Sequence, residues 1–232
     1  MIKALAHHKL KNEDKKTSSV IGQLLHLPAH LFWQILRASC LYKDILPLQC
    51  GEILDVDFWP SWSAEGDDIE NKDRVEPDVF IRFDNFDLII EAKVNDTSEQ
   101  SQEKYQKKIY EQRINEVNSY LNEYEDDKKS LYFIALGGCA TFDSENIESR
   151  SEVQIKAIKS TWTRLLHEVW SAKESIERQY YHGGGKYQLL RIIEDVIEGF
   201  AIHGVIYTVW LNTLPPMKVN SNSINLFRNY GK

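Results

Sequence analysis

Apolar and polar positions along the 232-residue chain change period several times, and each change marks an element. Residues 17–43, TSSVIGQLLHLPAHLFWQILRASCLYK, repeat apolar positions at helical spacing, with Thr17 or Ser18 placed to cap the first turn and Pro28 to break or restart the helix. GEILDVDFW (51–59) alternates acidic and apolar residues as a half-buried strand does, and the polar PSWSAEGDDIENKD after it reads as a loop. Residues 98–124 predict a long amphipathic helix with Tyr105, Ile109, Ile114, Val117, Leu121 and Tyr124 near one side. SLYFIALGG (130–138) is a short continuous apolar run of the kind a buried central strand shows. Past a loop at 139–151, Val153, Ile155 and Ala157 alternate as a strand, and Ser160 is placed to cap a helix carrying Trp162, Leu165, Leu166 and Val169. The connector RQYYHGGGKY lacks the Lys-Ser/Thr ending of a phosphate loop and reads as a flexible turn. Residues 187–204 predict another helix, 205–212 fit a final strand or a helical continuation, and the tail beyond Pro215 and Pro216 is polar.

The hairpin VEPDVFIRFDNFDLIIEAKVND (75–96) carries the most information. With Asp84 and Asn85 as the two turn residues, Phe83 faces Phe86, Ile81 faces Leu88 and Val79 faces Ile90, so one side is wholly apolar and must be buried. On the other side Arg82 faces Asp87, Phe80 faces Ile89 and Asp78 faces Glu91, with Lys93 two residues further along on the same side. Directly opposed β-carbons lie roughly 4.5 to 5.5 Å apart, so paired carboxylates there repel unless positive charge sits between them. Lys93 supplies part of that charge, and a divalent cation can supply more. A hard ion such as Mg2+ takes oxygen ligands at about 2.1 Å and keeps several waters, so two converging carboxylates and a backbone carbonyl suffice to hold it. The plain alternative is a partly exposed Glu91/Lys93/Asp78 salt-bridge network, worth about 1 kcal/mol or less.

The order of elements, helix, strand, hairpin, long helix, two strands and further helices, predicts a mixed sheet with helices on its faces, in the α/β or α+β class. The expected organisation is one domain, with a core at about 13–159, a helical addition at 160–212 and a polar tail at 213–232. Composition adds little beyond this. Cys40, Cys50 and Cys139 make an odd count without metal or disulfide spacing, which suits a reducing cytoplasm. The chain opens without the apolar run of a signal peptide and contains no stretch of about 18 uncharged apolar residues, so a soluble protein with no membrane partner is expected. The net charge of −7 argues weakly against nucleic acid, but its distribution softens the objection. Ten acids fall within residues 52–78, whereas the first 16 residues hold five lysines. Trp59 and Trp62, beside that acidic loop, are the tryptophans placed to meet a base or a partner chain, although core packing is the commoner fate of such rings.

Pro77-Asp78, twelve intervening residues and Glu91-Ala92-Lys93, with flanking elements in this order, resemble the PD-(D/E)xK nuclease superfamily, the restriction-endonuclease-like fold. The resemblance implies a core of helix, three-stranded meander, helix and two more strands, hence a central mixed sheet of four to five strands flanked by helices. It implies that Asp78 and Glu91 bind Mg2+ or Mn2+, that the carbonyl of Ala92 is a further ligand, and that Lys93 positions or deprotonates the attacking water. Gln106 and Tyr110 match the Q-x-x-x-Y of exonuclease-like branches. The additional ligand that many members carry in the first helix falls to Glu13 or His26. The function so implied is metal-dependent hydrolysis of DNA phosphodiester bonds by water attack, in restriction or anti-phage defence, with a homodimer where both strands are cut. A non-catalytic nucleic-acid-binding or assembly subunit on the same fold is the alternative, and an unrelated helical interaction protein the third reading.

Overall fold

A computed structural model of the chain describes residues 12–63, 74–96, 103–124, 129–138, 144–147, 154–178 and 185–207, with the backbone alone at 12 and 103–110. The elements in order are α1 (Asn12–Leu24), α2 (Ala29–Ser39), a short 3-10 turn (Lys43–Ile45), β1 (Ile53–Phe58), β2 (Val79–Phe83), β3 (Phe86–Ala92), α3 (Glu103–Glu123), β4 (Ser130–Leu136), β5 (Ser144–Ile147), β6 (Ile155–Ser160), α4 (Trp162–Arg178) and α5 (Gly185–Ile202). One sheet takes all six strands in the order β1-β2-β3-β4-β6-β5. The first three form an antiparallel meander, β3, β4 and β6 run parallel, and β5 lies antiparallel on the far edge.

The class is therefore mixed α/β as expected, but with six strands instead of four or five. The additional strand is β5, SENI, which falls inside the segment read as a loop at 139–151. An edge strand of four residues buries little, here Ile147, so no apolar alternation announces it.

The hairpin register is the one the turn residues dictate: Val79 pairs with Ile90, Phe80 with Ile89, Ile81 with Leu88 and Arg82 with Asp87. Val79, Ile81, Phe83, Phe86, Leu88 and Ile90 face a core shared with α1, α2, α4 and α5. The opposite side is also covered. Phe80 and Ile89 pack with Val117 and Tyr120 of α3, and Trp62 sits on the same cluster with its ring 5.1 Å from that of Phe80. Trp62 is thus a core side chain, while Trp59 is half-buried against Phe58. Because helices cover both faces, the central strands β3 and β4 read as nearly unbroken apolar runs.

Three local expectations change. Thr17 and Ser18 do not cap α1, which begins at Asn12; Ser18 donates its hydroxyl to the carbonyl of Lys15, the local bond that lets serine sit inside a helix. Ser160 closes β6 instead of capping α4, and its hydroxyl is shared with Ser39. The buried side of α3 is wider than the apolar stripe and takes in charged residues beside it. Arg113, Glu116, Val117, Ser119 and Tyr120 are buried, whereas Ile114, Leu121 and Tyr124 are only half-buried, because α3 lies over a hairpin face that carries charge. Cys40 and Cys50 are free and buried, and Cys139 lies outside the described residues. Among the described residues no helix is long and apolar enough to cross a membrane.

The polar interior of that face is anchored by Asp87, fully buried on β3, which accepts a hydrogen bond from the Tyr120 hydroxyl at 2.9 Å and faces Arg82 at 3.4 Å. Tyr120→Phe removes a donor from a buried carboxylate and is expected to cost about 1–3 kcal/mol. Urea denaturation of the variant, read at unchanged m-value, checks it.

Candidate metal and catalytic site

The site lies where the parallel strands end. β3 runs out at Ala92 into Lys93, β4 at Leu136 into Gly137, and β6 at Ser160 into α4, so three carboxyl ends lie side by side at one end of the sheet. Such ends are where α/β sheets take ligands, since diverging loops leave room there. The loop bearing Lys93 is strapped down. Its N–H donates to the Leu136 carbonyl at 2.8 Å, its own carbonyl accepts the Trp162 indole N–H at 2.6 Å, and the Val94 carbonyl accepts the Lys16 ammonium at 2.8 Å. Two residues on, Asp96 caps α4 by accepting the N–H groups of Trp162 and Thr163. Gly137, at φ +77°, lies so close that a β-carbon there would stand 2.9 Å from the Lys93 carbonyl oxygen.

Asp78 sits at the mouth of the hairpin just before β2, its carbonyl accepting the Trp59 N–H at 3.1 Å and its Oδ2 accepting the Ala92 N–H at 2.7 Å. Glu91 lies on the hairpin face under α3. Its Oε1 accepts from the Lys93 ammonium at 2.5 Å and from the Gln112 amide at 2.7 Å. The same amide nitrogen donates to Glu116 Oε1 at 2.9 Å, and Glu13 of α1 comes within 3.7 Å of the Lys93 ammonium. The structure thus brings Asp78, Glu91, Lys93 and Glu13 together. His26 is exposed in the turn beyond the far end of α1, whose helical stretch from Glu13 to Leu24 alone spans about 16 Å. The side chains of Gln106 and Tyr110 lie outside the described residues; the α3 side chains that meet the site are Gln112 and Glu116.

Neither of these two was picked out from the sequence. Their spacing of four on a helix, Gln112 and Glu116, was the available signal, but it is the same signal that Gln106 and Tyr110 give. Lys16 and Asp96 were missed as well, because their work is done on the backbone of a distant loop and on the end of a distant helix.

Burial shapes the electrostatics. Desolvation, then the neighbouring charge of Glu91, hold the Asp78 carboxyl well above its ordinary 3.8, against the Ala92 N–H and Lys93, which lower it. Glu116 is raised well above 4.5 by the same two causes in the same order, and burial raises Glu13 despite Lys93 beside it. For Lys93, burial disfavours the ammonium, yet Glu91, Glu13 and Asp78 together reverse this and raise its pKa. Burial brings Lys16 down to about 8, with Asp96 acting the other way.

The donor set is all oxygen and suits a hard cation. Glu91 Oε2 and Glu116 Oε2 are buried with no hydrogen-bond partner, as oxygens awaiting a positive charge would be. Among the described residues, however, no group of three or more acidic, histidine or cysteine side chains is arranged as a ready-made cage. N–H donors from Lys93 and Gln112 lie between the carboxylates instead, so taking up an ion requires those two side chains to give way.

The raised carboxyls set a pH dependence. A carboxyl whose pKa is higher in the folded chain adds stability below its unfolded value and loses that contribution as pH rises through its folded value. In EDTA, from about pH 4 upward, Asp78→Asn and Glu116→Gln are therefore expected to gain in melting temperature relative to the wild-type chain, most at neutral pH. Thermal melts across pH 4 to 8 check this, and variants that fall below wild type at neutral pH contradict it. Against known proteins, the chain matches no family model and no curated protein.

Proposed function

We propose that this protein is a divalent-metal-dependent nuclease of the PD-(D/E)xK kind, hydrolysing DNA phosphodiester bonds. The observation that carries the reading is the meeting of Asp78, Glu91 and Lys93 at the mouth of one hairpin, with the lysine ammonium seated on Glu91 and Glu13 beside it. Support also comes from the order of elements, helices, antiparallel meander, long helix and then β4 and β6 parallel to β3, which, apart from the added edge strand β5, is the order the resemblance implies.

Held by Asp78 and Glu91, with Glu13 and the Ala92 carbonyl as further ligands, Mg2+ or Mn2+ would offset charge on the phosphate and make a nearby water more acidic. The protein's own part is positioning. Asp78 is locked by the Ala92 N–H, so its carboxylate needs little reorganisation to act. Lys93 keeps its proton while Glu91 and Glu13 face it, which favours its ammonium as a donor that orients water or a phosphate oxygen over a role as base. The straps from Leu136, Trp162 and Lys16 hold that ammonium's backbone in one place. Cutting a duplex through both strands would call for a second copy of the chain.

The test is cleavage of circular, linear and single-stranded DNA with Mg2+, Mn2+ or EDTA. The expected outcome is metal-dependent cutting that falls about 10²-fold or more in Lys93→Ala and Asp78→Ala, with circular dichroism unchanged. DNA that is bound but left intact under every metal condition would favour the non-catalytic subunit. DNA neither bound nor cut ends both readings.

A further inference from the structure

Lys16 lies outside the hairpin and is almost shut off from solvent: it is 3% exposed on α1, one turn after Glu13. Its ammonium donates to the Val94 carbonyl at 2.8 Å, a contact across 78 residues of chain, and stands 4.5 Å above the Trp162 ring. That ring in turn donates its indole N–H to the Lys93 carbonyl, and the Gly138 N–H donates to the Asn95 carbonyl at 2.6 Å. The three successive carbonyls of Lys93, Val94 and Asn95 are thus each taken by a donor from a different part of the fold, α4, α1 and the end of β4. Residues 13 and 16 share a helix face, so α1 meets Lys93 twice, at its ammonium through Glu13 and at the following carbonyl through Lys16. Holding an ammonium out of water is costly, and burial lowers the Lys16 pKa to about 8. A methionine would fill the same space without that cost. What the charge adds is a strong, directed donor on one loop carbonyl.

We infer that Lys16 is a positioning residue: through the Val94 carbonyl and the Trp162 ring it fixes the loop backbone from which Lys93 orients water or a phosphate oxygen. The role in the reaction rests on the nuclease reading, whereas the clamp on residues 93–95 is a property of the fold. A reacting group displaced by about 1 Å can lose about 10²-fold in rate, so a slack loop shows in kcat before it shows in KM. The charged groups that face Lys16 are Asp96, which raises its pKa, and His203 just past α5, whose own pKa Lys16 lowers. Because a charged donor makes a hydrogen bond about twice as strong as a neutral one, the clamp slackens as pH rises through about 8 and Lys16 gives up its proton.

Lys16→Met and Lys16→Arg test this in the full chain, by Mg2+-dependent cleavage of linear DNA from pH 6 to 9 and by hydrogen–deuterium exchange of residues 92–96. Lys16→Met is expected to lower kcat about tenfold or more at pH 7 with KM for DNA little changed, and to exchange this loop faster than the wild-type chain. The ratio of wild-type to Lys16→Met kcat is expected to narrow above about pH 8, where the wild-type chain loses the ammonium. Lys16→Arg stays charged at every pH used, so its kcat relative to wild type is expected to rise over the same range. It decides the matter if Lys16→Met fails to fold, since a relative kcat that is flat with pH overturns the inference. An unchanged kcat with unaltered exchange in Lys16→Met overturns it too, and so does a ratio constant across the pH range, which marks a merely structural role. A wild-type chain that cuts no DNA ends the nuclease reading instead, and the exchange comparison then decides the clamp by itself.

Discussion

The structure depends on one electrostatic constraint, the burial of several carboxylates around Glu91 against the ammonium of Lys93. Three of them, Asp78, Glu91 and Glu116, lie in the interior or at its edge, where a charge is expensive unless it is paired. The chain answers with an ion pair at Glu91, with neutralising shifts at Asp78 and Glu116, and with a backbone N–H aimed at Asp78. Such an arrangement is poor engineering for stability, since apolar residues of similar volume would pack at no electrostatic cost.

That constraint explains why the two sheet faces differ. The face toward α1, α2, α4 and α5 is an ordinary apolar core in which the rings of Phe83, Phe86 and Trp33 pack at tilted angles. The face toward α3 mixes aromatic rings with Asp87, Arg82, Glu91 and Glu116, each held by a named partner. Residues far apart in the chain meet at the loop that follows β3. Lys16 and Glu13 come from the first helix, Trp162 from the fourth, and Gly137 and Gly138 from the end of β4, and all of them act on the segment 93–96. The C-terminal helices are in this sense part of the site's frame: α4 begins on the Asp96 carboxylate and its first indole holds Lys93.

Much of this was legible in the residues by themselves. A two-residue turn at Asp84–Asn85 leaves one possible pairing, and side chains alternate with period two, so the register of β2 on β3, the buried side of the hairpin and the approach of Asp78 to Glu91 all follow from local rules. The long apolar runs of β3 and β4 likewise announce central strands, and Pro28 announces the break between the first two helices. These features are determined over a few residues, where steric and hydrogen-bonding preferences act directly.

What only the tertiary structure decided is how the elements meet. Helical periodicity ranks a side of α3 by its apolar content, yet the charged hairpin face beneath it draws in more than that side, and so Gln112 and Glu116 meet Glu91 while Val117 is buried and Ile114, Leu121 and Tyr124 pack half-buried beside it. The approach of Glu13 to Lys93, the edge strand β5, and the cap that Asp96 provides for α4 are decided in the same way, by contacts between positions remote in sequence. A pattern along the chain records what each residue prefers. It does not record which partner the folded chain will place opposite, and for buried charge the partner decides the outcome.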